Sequence, residues 1–147
     1  MYERILLATD GSDGATAAGA HAVSLARRYG AELHAVYVVE TRTGYDNAIV
    51  DPEVVRRNLR EEGEAALAAV ETRAGSDSVV TSIREGVPHE ELLAYVDEMD
   101  IDLVVVGSKG RSAFRTILLG STTEAVLRAD AVPVLVVNDD TGGSTRP

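Results

Sequence analysis

Glu3-Arg4-Ile5-Leu6-Leu7-Ala8-Thr9-Asp10-Gly11-Ser12-Asp13-Gly14 decides the fold, because an apolar run breaks into a glycine turn and the apolar residues then change period. Residues 3–9 read as a buried strand. Behind the turn, Ala15, Ala18, Ala22, Val23, Ala26 and Tyr29 recur at helical spacing, and Gly30 supplies a stop. The same βα pattern repeats along the chain. A second strand is expected over residues 32–39, ending Val36-Tyr37-Val38-Val39, with a polar loop from Glu40 to Val50 after it. Asp51-Pro52-Glu53 then opens a helix, with aspartate as cap and proline at the first helical position; Val55, Leu59, Ala66, Leu67 and Val70 form its apolar face and Gly75 ends it. A third strand is expected near 78–84, followed by a helix that Gly86-Val87-Pro88 opens and that holds Leu92, Leu93 and Val96. Ile101 to Val106 reads as the fourth strand and Val132 to Val137 as the fifth, with a loop and a helix around 121–129 between them.

Strands that are unbroken runs of Val, Leu and Ile, alternating with helices in the order βαβαβαβαβ, predict an α/β fold: a five-stranded parallel sheet with helices on both faces. Ligands of such sheets lie beyond the carboxyl ends of the strands, where the strand order reverses. Two strand ends stand out, Thr9-Asp10-Gly11-Ser12 and Gly107-Ser108-Lys109-Gly110. For both to serve one site, the first and fourth strands must be neighbours. This favours strand order 3-2-1-4-5 over the flavodoxin order 2-1-3-4-5.

The chain's 147 residues suffice for one domain, expected over residues 1–138, with the Gly-, Ser-, Thr- and Asp-rich segment 139–147 as a flexible tail. Hydrophobic residues at 45% and charged residues at 26% exclude wholesale disorder. No apolar run is long enough for a membrane helix, and no basic region with an apolar core opens the chain, so a cytoplasmic address is expected. Without cysteine there is no thiolate nucleophile, disulfide or Cys-based zinc site. The net charge of -10 opposes nucleic-acid binding, because phosphate backbones reward basic surfaces. Thirteen arginines accompany a single lysine, Lys109. A saline cytoplasm and a high-GC coding bias both account for that balance.

Against this acidity, the segment from Gly107 to Ser121 contains Lys109, Arg111 and Arg115 and no acid. Gly107 and Gly110 let backbone N–H groups approach an anion, and Gly120 does so directly before a helix. A competing reading makes Ser121-Thr122-Thr123-Glu124 a capping box, in which the serine hydroxyl serves its own helix. The Walker pattern and the Gly-x-Gly-x-x-Gly dinucleotide pattern are both missing. Gly107-Ser108-Lys109-Gly110 is similar to the loop of the RNA-binding KH fold, but the five-strand alternation and the acidity oppose that.

Taken together, the chain to about Asn138 resembles the universal stress protein family, of the adenine-nucleotide-binding kind. The family signature is Gly, two residues, Gly, nine residues, then Gly followed by Ser or Thr, which Gly107, Gly110, Gly120 and Ser121 satisfy without a gap. Thr9-Asp10-Gly11-Ser12, Gly86-Val87-Pro88, and Leu118-Leu119 before Gly120 match further. The resemblance implies ATP across the strand ends. Phosphate contacts fall on Gly107, Gly110, Gly120, Ser121 and the backbone of Thr122, and adenine and ribose contacts on Thr9, Asp10 and the main chain of Val38, with Val106 nearby. Asp10 is placed either to accept from sugar hydroxyls or to face Mg²⁺ or Mn²⁺ held through the phosphates, or else to cap its own turn.

No obvious water-positioning acid besides Asp10 is present, so binding with at most slow hydrolysis is expected, as for a regulator or sensor. A slow ATPase or nucleotidyl enzyme and a nucleotide-free dimeric interaction protein are the alternatives. His21, His34 and His89 are scattered, which speaks against a shared metal or dyad. Glu61-Glu62-Gly63-Glu64 reads as a solvated helix face. Under order 3-2-1-4-5 the uncharged strand Val132 to Val137 is a sheet edge and invites homodimer formation, in agreement with the resemblance, unless Pro133 protects it.

Overall fold

The structure, a computed structural model, describes residues 1–40, 51–109 and 119–138. Among these the elements run β1 (Arg4–Ala8), α1 (Asp13–Tyr29), β2 (Glu32–Glu40), α2 (Pro52–Ala74), β3 (Val79–Gly86), α3 (Pro88–Glu98), β4 (Leu103–Gly107), α4 (Ser121–Ala129) and β5 (Val134–Val137). The strands form one parallel sheet in the order β3-β2-β1-β4-β5, as expected from the pairing of the two glycine corners. Most of the loop from Glu40 to Val50, and Gly110, Arg111, Arg115, Leu118 and the segment 139–147, lie outside the described residues.

Side chains alternate across a strand, so a strand covered on both faces must be apolar at every position. Ile5 and Leu7 of β1 and Leu103 and Val105 of β4 pack with α1 and α2, while Leu6, Ala8, Val104 and Val106 point the other way into α3 and α4. β1 is the central strand and is completely buried from Ile5 to Leu7. The helices begin where local chemistry favours it. Ser12 caps α1 by accepting the Ala15 N–H at 3.1 Å, and Asp51 caps α2 by accepting the Glu53 N–H at 3.0 Å ahead of Pro52. In α2, Glu61, Glu62 and Glu64 are exposed, while Gly63 lies against the ring of Tyr37.

Several boundaries differ from the sequence reading. β4 starts at Leu103, although Asp102 already ties the chain to β1 by donating its N–H to the Arg4 carbonyl at 3.0 Å and by accepting the Glu3 and Arg4 N–H groups on its carboxylate at 2.8 and 3.3 Å. β5 starts at Val134, because Pro133 has no N–H and joins the sheet only by accepting the Val104 N–H at 3.0 Å. β2 and β3 run further than expected, pairing up to Glu40 with Gly86. The capping box is not formed. Gly120 is the N-cap of α4, with no side-chain cap hydrogen bond, and Ser121 is already the first helical residue.

One polar cluster interrupts the apolar layer between the sheet and α3. His34, 4% exposed, and Tyr95, 1% exposed, are linked at 2.6 Å between Nδ1 and the phenol, and His34 Nε2 lies 2.7 Å from a Glu32 carboxylate oxygen. A carboxylate only accepts, so in the neutral imidazole Nε2 carries the proton and Nδ1 accepts from the tyrosine hydroxyl. Arg84 lies over the Tyr95 ring, 4.9 Å from its centre, and forks onto both oxygens of Glu98 at 2.9 and 3.2 Å. That fork holds the Glu98 carboxyl below the usual glutamate range and raises the arginine further. Burial pushes the Tyr95 phenol up, opposed by the Arg84 charge. Among the described residues, no buried side-chain nitrogen or oxygen lacks a hydrogen-bond partner.

Candidate functional site

Ala8, the last residue of β1, is level with Val36 of β2 on one side and Val106 of β4 on the other. Past that line β1 turns away, while β2 and β4 continue. The result is a notch in the carboxyl rim of the sheet at the position where chain connections diverge to opposite faces. Thr9 closes its floor by donating its N–H to the Val36 carbonyl at 3.0 Å. Backbone polar groups along a strand alternate sides, so Val38 turns the same way as Val36, toward the space beyond β1. Val38 is half-buried and Val106 buried.

The turn after β1 is held by its own side chains. The Gly11 N–H donates to Thr9 Oγ1 at 3.2 Å, and the Ser12 N–H donates to Asp10 Oδ1 at 2.9 Å. Gly11 itself has φ of +79°, a conformation that glycine adopts without a Cβ penalty. Asp10 therefore does serve its own turn through one oxygen, and the half-buried carboxylate stays at the rim.

Opposite stands Gly107, where the structure adds a steric reason for glycine to the one read in the sequence. A Cβ at Gly107 would lie 2.9 Å from both the carbonyl carbon and the oxygen of Gly14, and 3.3 Å from the Ala15 nitrogen. The first turn of α1 thus rests on the bare backbone of β4. This contact sets how closely the two glycine corners approach. Ser108, also buried, donates its N–H to the Val137 carbonyl at 2.9 Å and accepts the Gly120 N–H at 2.6 Å. Through these bonds the chain returns to β4 just before α4 begins. Gly120 and Thr122 are half-buried and Ser121 is exposed. Among the described residues no side chain caps α4, so its first N–H groups are suited to receive an anion. Of the residues read as phosphate contacts, Gly107, Gly120, Ser121 and Thr122 gather here, and Gly110 lies outside the described residues.

The sequence reading missed Thr123, whose buried hydroxyl donates to the Gly107 carbonyl at 2.8 Å. Its position in the supposed capping box concealed it. Among the described residues there is no group of three or more His, Asp or Glu side chains able to hold a metal.

The model of the universal stress protein family matches residues 1–138. The chain belongs to the universal stress protein family. The universal stress protein MJ0531 of Methanocaldococcus jannaschii is 36% identical over 140 residues, covering 93% of this chain and 82% of that protein. The solved universal stress protein UspA from Lactobacillus plantarum is 32% identical with a TM-score of 0.74, covering 92% of this chain and 97% of that one. A further universal stress protein, solved in complex with cAMP, is 27% identical with a TM-score of 0.72 over 92% of this chain and 97% of its own. Among the described residues of this universal stress protein, no helix is long and apolar enough to cross a membrane.

Proposed function

We propose that this universal stress protein is an adenine-nucleotide-binding regulator that holds ATP across the notch between β1 and β4, with at most slow hydrolysis. The observation that carries this reading is the juxtaposition of the Thr9–Ser12 turn with the β4 exit, beside an α4 N-terminus that no side chain caps. In this reading, main-chain N–H groups of Ser121 and Thr122, with Gly107, Gly110 and Gly120 beside them, meet the phosphates. Thr9, Asp10 and the Val38 backbone meet the ribose and adenine, over Val106. Mg²⁺ or Mn²⁺ is carried by the phosphates, with the Asp10 carboxylate at the rim placed to face it. The cAMP complex of a relative supports adenine nucleotide as the ligand class.

Magnitudes require both halves of the site. Three charge-assisted hydrogen bonds give about 5 to 9 kcal/mol before ordering costs, whereas micromolar affinity needs about 8. Adenine burial has to supply the remainder, and bare triphosphate is expected to compete poorly. The test is a thermal melt with Mg-ATP, together with a search for adenine nucleotide released on denaturing freshly purified protein. At a hundredfold excess over the dissociation constant, ATP is expected to stabilise by about 2.7 kcal/mol. Replacing Gly110 with a bulky residue is expected to remove that shift and leave the fold. Neither a shift nor released nucleotide would overturn the reading. A turnover above about one per second would move it from regulator to enzyme.

The same reading includes a homodimer through β5. Val104 donates to the Pro133 carbonyl and Ser108 to the Val137 carbonyl, so by alternation Val134 and Val136 turn their backbone groups to the open edge. No charged side chain guards this strand. Val136→Pro removes one outward N–H and spares the β4 ladder, so light scattering is expected to show a dimer for the natural chain and a monomer for the variant. Equal masses for the two proteins would reject pairing through β5.

A further inference from the structure

We propose that Thr123 is a positioning residue for the phosphate half of the site, an inference that rests on the nucleotide reading above. Thr123 is the third residue of α4 and only 3% exposed. A threonine in a helix's first turn ordinarily spends its hydroxyl on its own helix or on water. Here the hydroxyl crosses the interior to another element, donating to the Gly107 carbonyl at 2.8 Å. Shielded from water, neither group has a replacement partner of equal quality, so the bond fixes a distance.

A second bond fixes a rotation. The Gly120 N–H donates to the Ser108 carbonyl at 2.6 Å, so consecutive carbonyls at the β4 exit hold two points on the first turn of α4. The helix cannot swing about either bond without breaking the other. The N–H groups of Ser121 and Thr122, between these two anchor points, then have directions set by the protein before any ligand arrives. Their reference point is also shared with the opposite wall, because Gly107 is the residue against which Gly14 of α1 rests. Thr123 thereby ties the phosphate-facing amides to the residue that locates the Thr9–Ser12 turn. Groups oriented in advance bind more tightly because less order is lost on association.

A purely space-filling role would be kept by valine, which has nearly the same shape as threonine. Thr123→Val is therefore compared with Thr123→Ser by calorimetry, using Mg-ATP and adenosine as the two ligands. Thr123→Val is expected to weaken ATP about tenfold and to leave adenosine within about twofold, with Thr123→Ser restoring ATP affinity, as befits one buried hydrogen bond. Unchanged ATP affinity, or equal losses for ATP and adenosine, would overturn the proposal. Should the valine variant not fold, Thr123→Ala takes its place with the same two ligands and the same criteria. A ligand-free reading comes from amide hydrogen exchange at Gly120, expected to accelerate about tenfold in the valine variant at an unchanged global midpoint. Unaltered exchange there also counts against the proposal. If the natural chain binds neither ligand, the nucleotide reading fails, and the Gly120 exchange still judges the role of Thr123 by itself.

Discussion

Gly107→Ala is expected to lower the unfolding free energy by about 3 kcal/mol, the upper end for overpacking, because the obstruction is backbone and not a pliable side chain. The added methyl would stand 2.9 Å from the carbonyl carbon and oxygen of Gly14, closer than nonbonded carbon atoms approach. Relief requires moving the whole first turn of α1, which Ser12 caps and the Asp10–Ser12 bond anchors, or moving β4, which is hydrogen-bonded between β1 and β5. Neither moves cheaply. Whichever yields, the Thr9–Ser12 turn and the β4 exit separate, so nucleotide affinity is expected to fall together with stability. Urea denaturation and ATP titration of the same preparation check both effects. A destabilisation below about 1 kcal/mol would show that the interface absorbs the methyl, and the width of the notch would then have another cause.

That glycine also marks the limit of what the sequence discloses. The fold was legible because β1, β2 and β4 are apolar at nearly every position, a pattern that only a sheet covered on both faces explains. Strand order was legible from a functional demand, that the corners at Thr9–Ser12 and Gly107–Gly110 meet. Element ends were less legible, because they depend on long-range bonds. Asp102, just before β4, bonds across to Glu3 and Arg4 through both its carboxylate and its N–H, which no local pattern announces. The same holds at the site. Gly107 read as room for an anion, and its missing Cβ is also required by Gly14; the two demands look identical in one sequence. Ser121 to Glu124 has the letters of a capping box, yet Gly120 takes the cap, so the hydroxyl of Thr123 serves β4. His34 read only as one of three scattered histidines because, besides Glu32 on its own strand, its links run to Tyr95 and, through it, Arg84 on other elements.

The His34–Tyr95 pair yields the second large effect. Tyr95→Phe leaves the buried Nδ1 of His34 without a donor, and His34→Leu leaves the buried phenol without an acceptor and Glu32 without its imidazole partner. Each single change is expected to cost about 2 kcal/mol, the penalty for stranding a buried polar group. Removing both strands neither, so the double variant is expected to cost at least about 1 kcal/mol less than the sum. Urea denaturation of the four proteins near pH 7.5 measures this cycle. Additivity within about 0.5 kcal/mol would show that the two groups do not depend on each other. The coupling bears on the site because Arg84, stacked on the Tyr95 ring, is the register partner of Val38. Arg84 is bound in turn to Glu98 at the end of α3, so the far side of the notch is braced by an ion pair and not by apolar contact alone. Losing the tyrosine hydroxyl leaves that ring and its stacked guanidinium in place. Tyr95→Phe is therefore expected to reduce stability without changing adenine affinity, the opposite signature from Gly107→Ala, which moves both together.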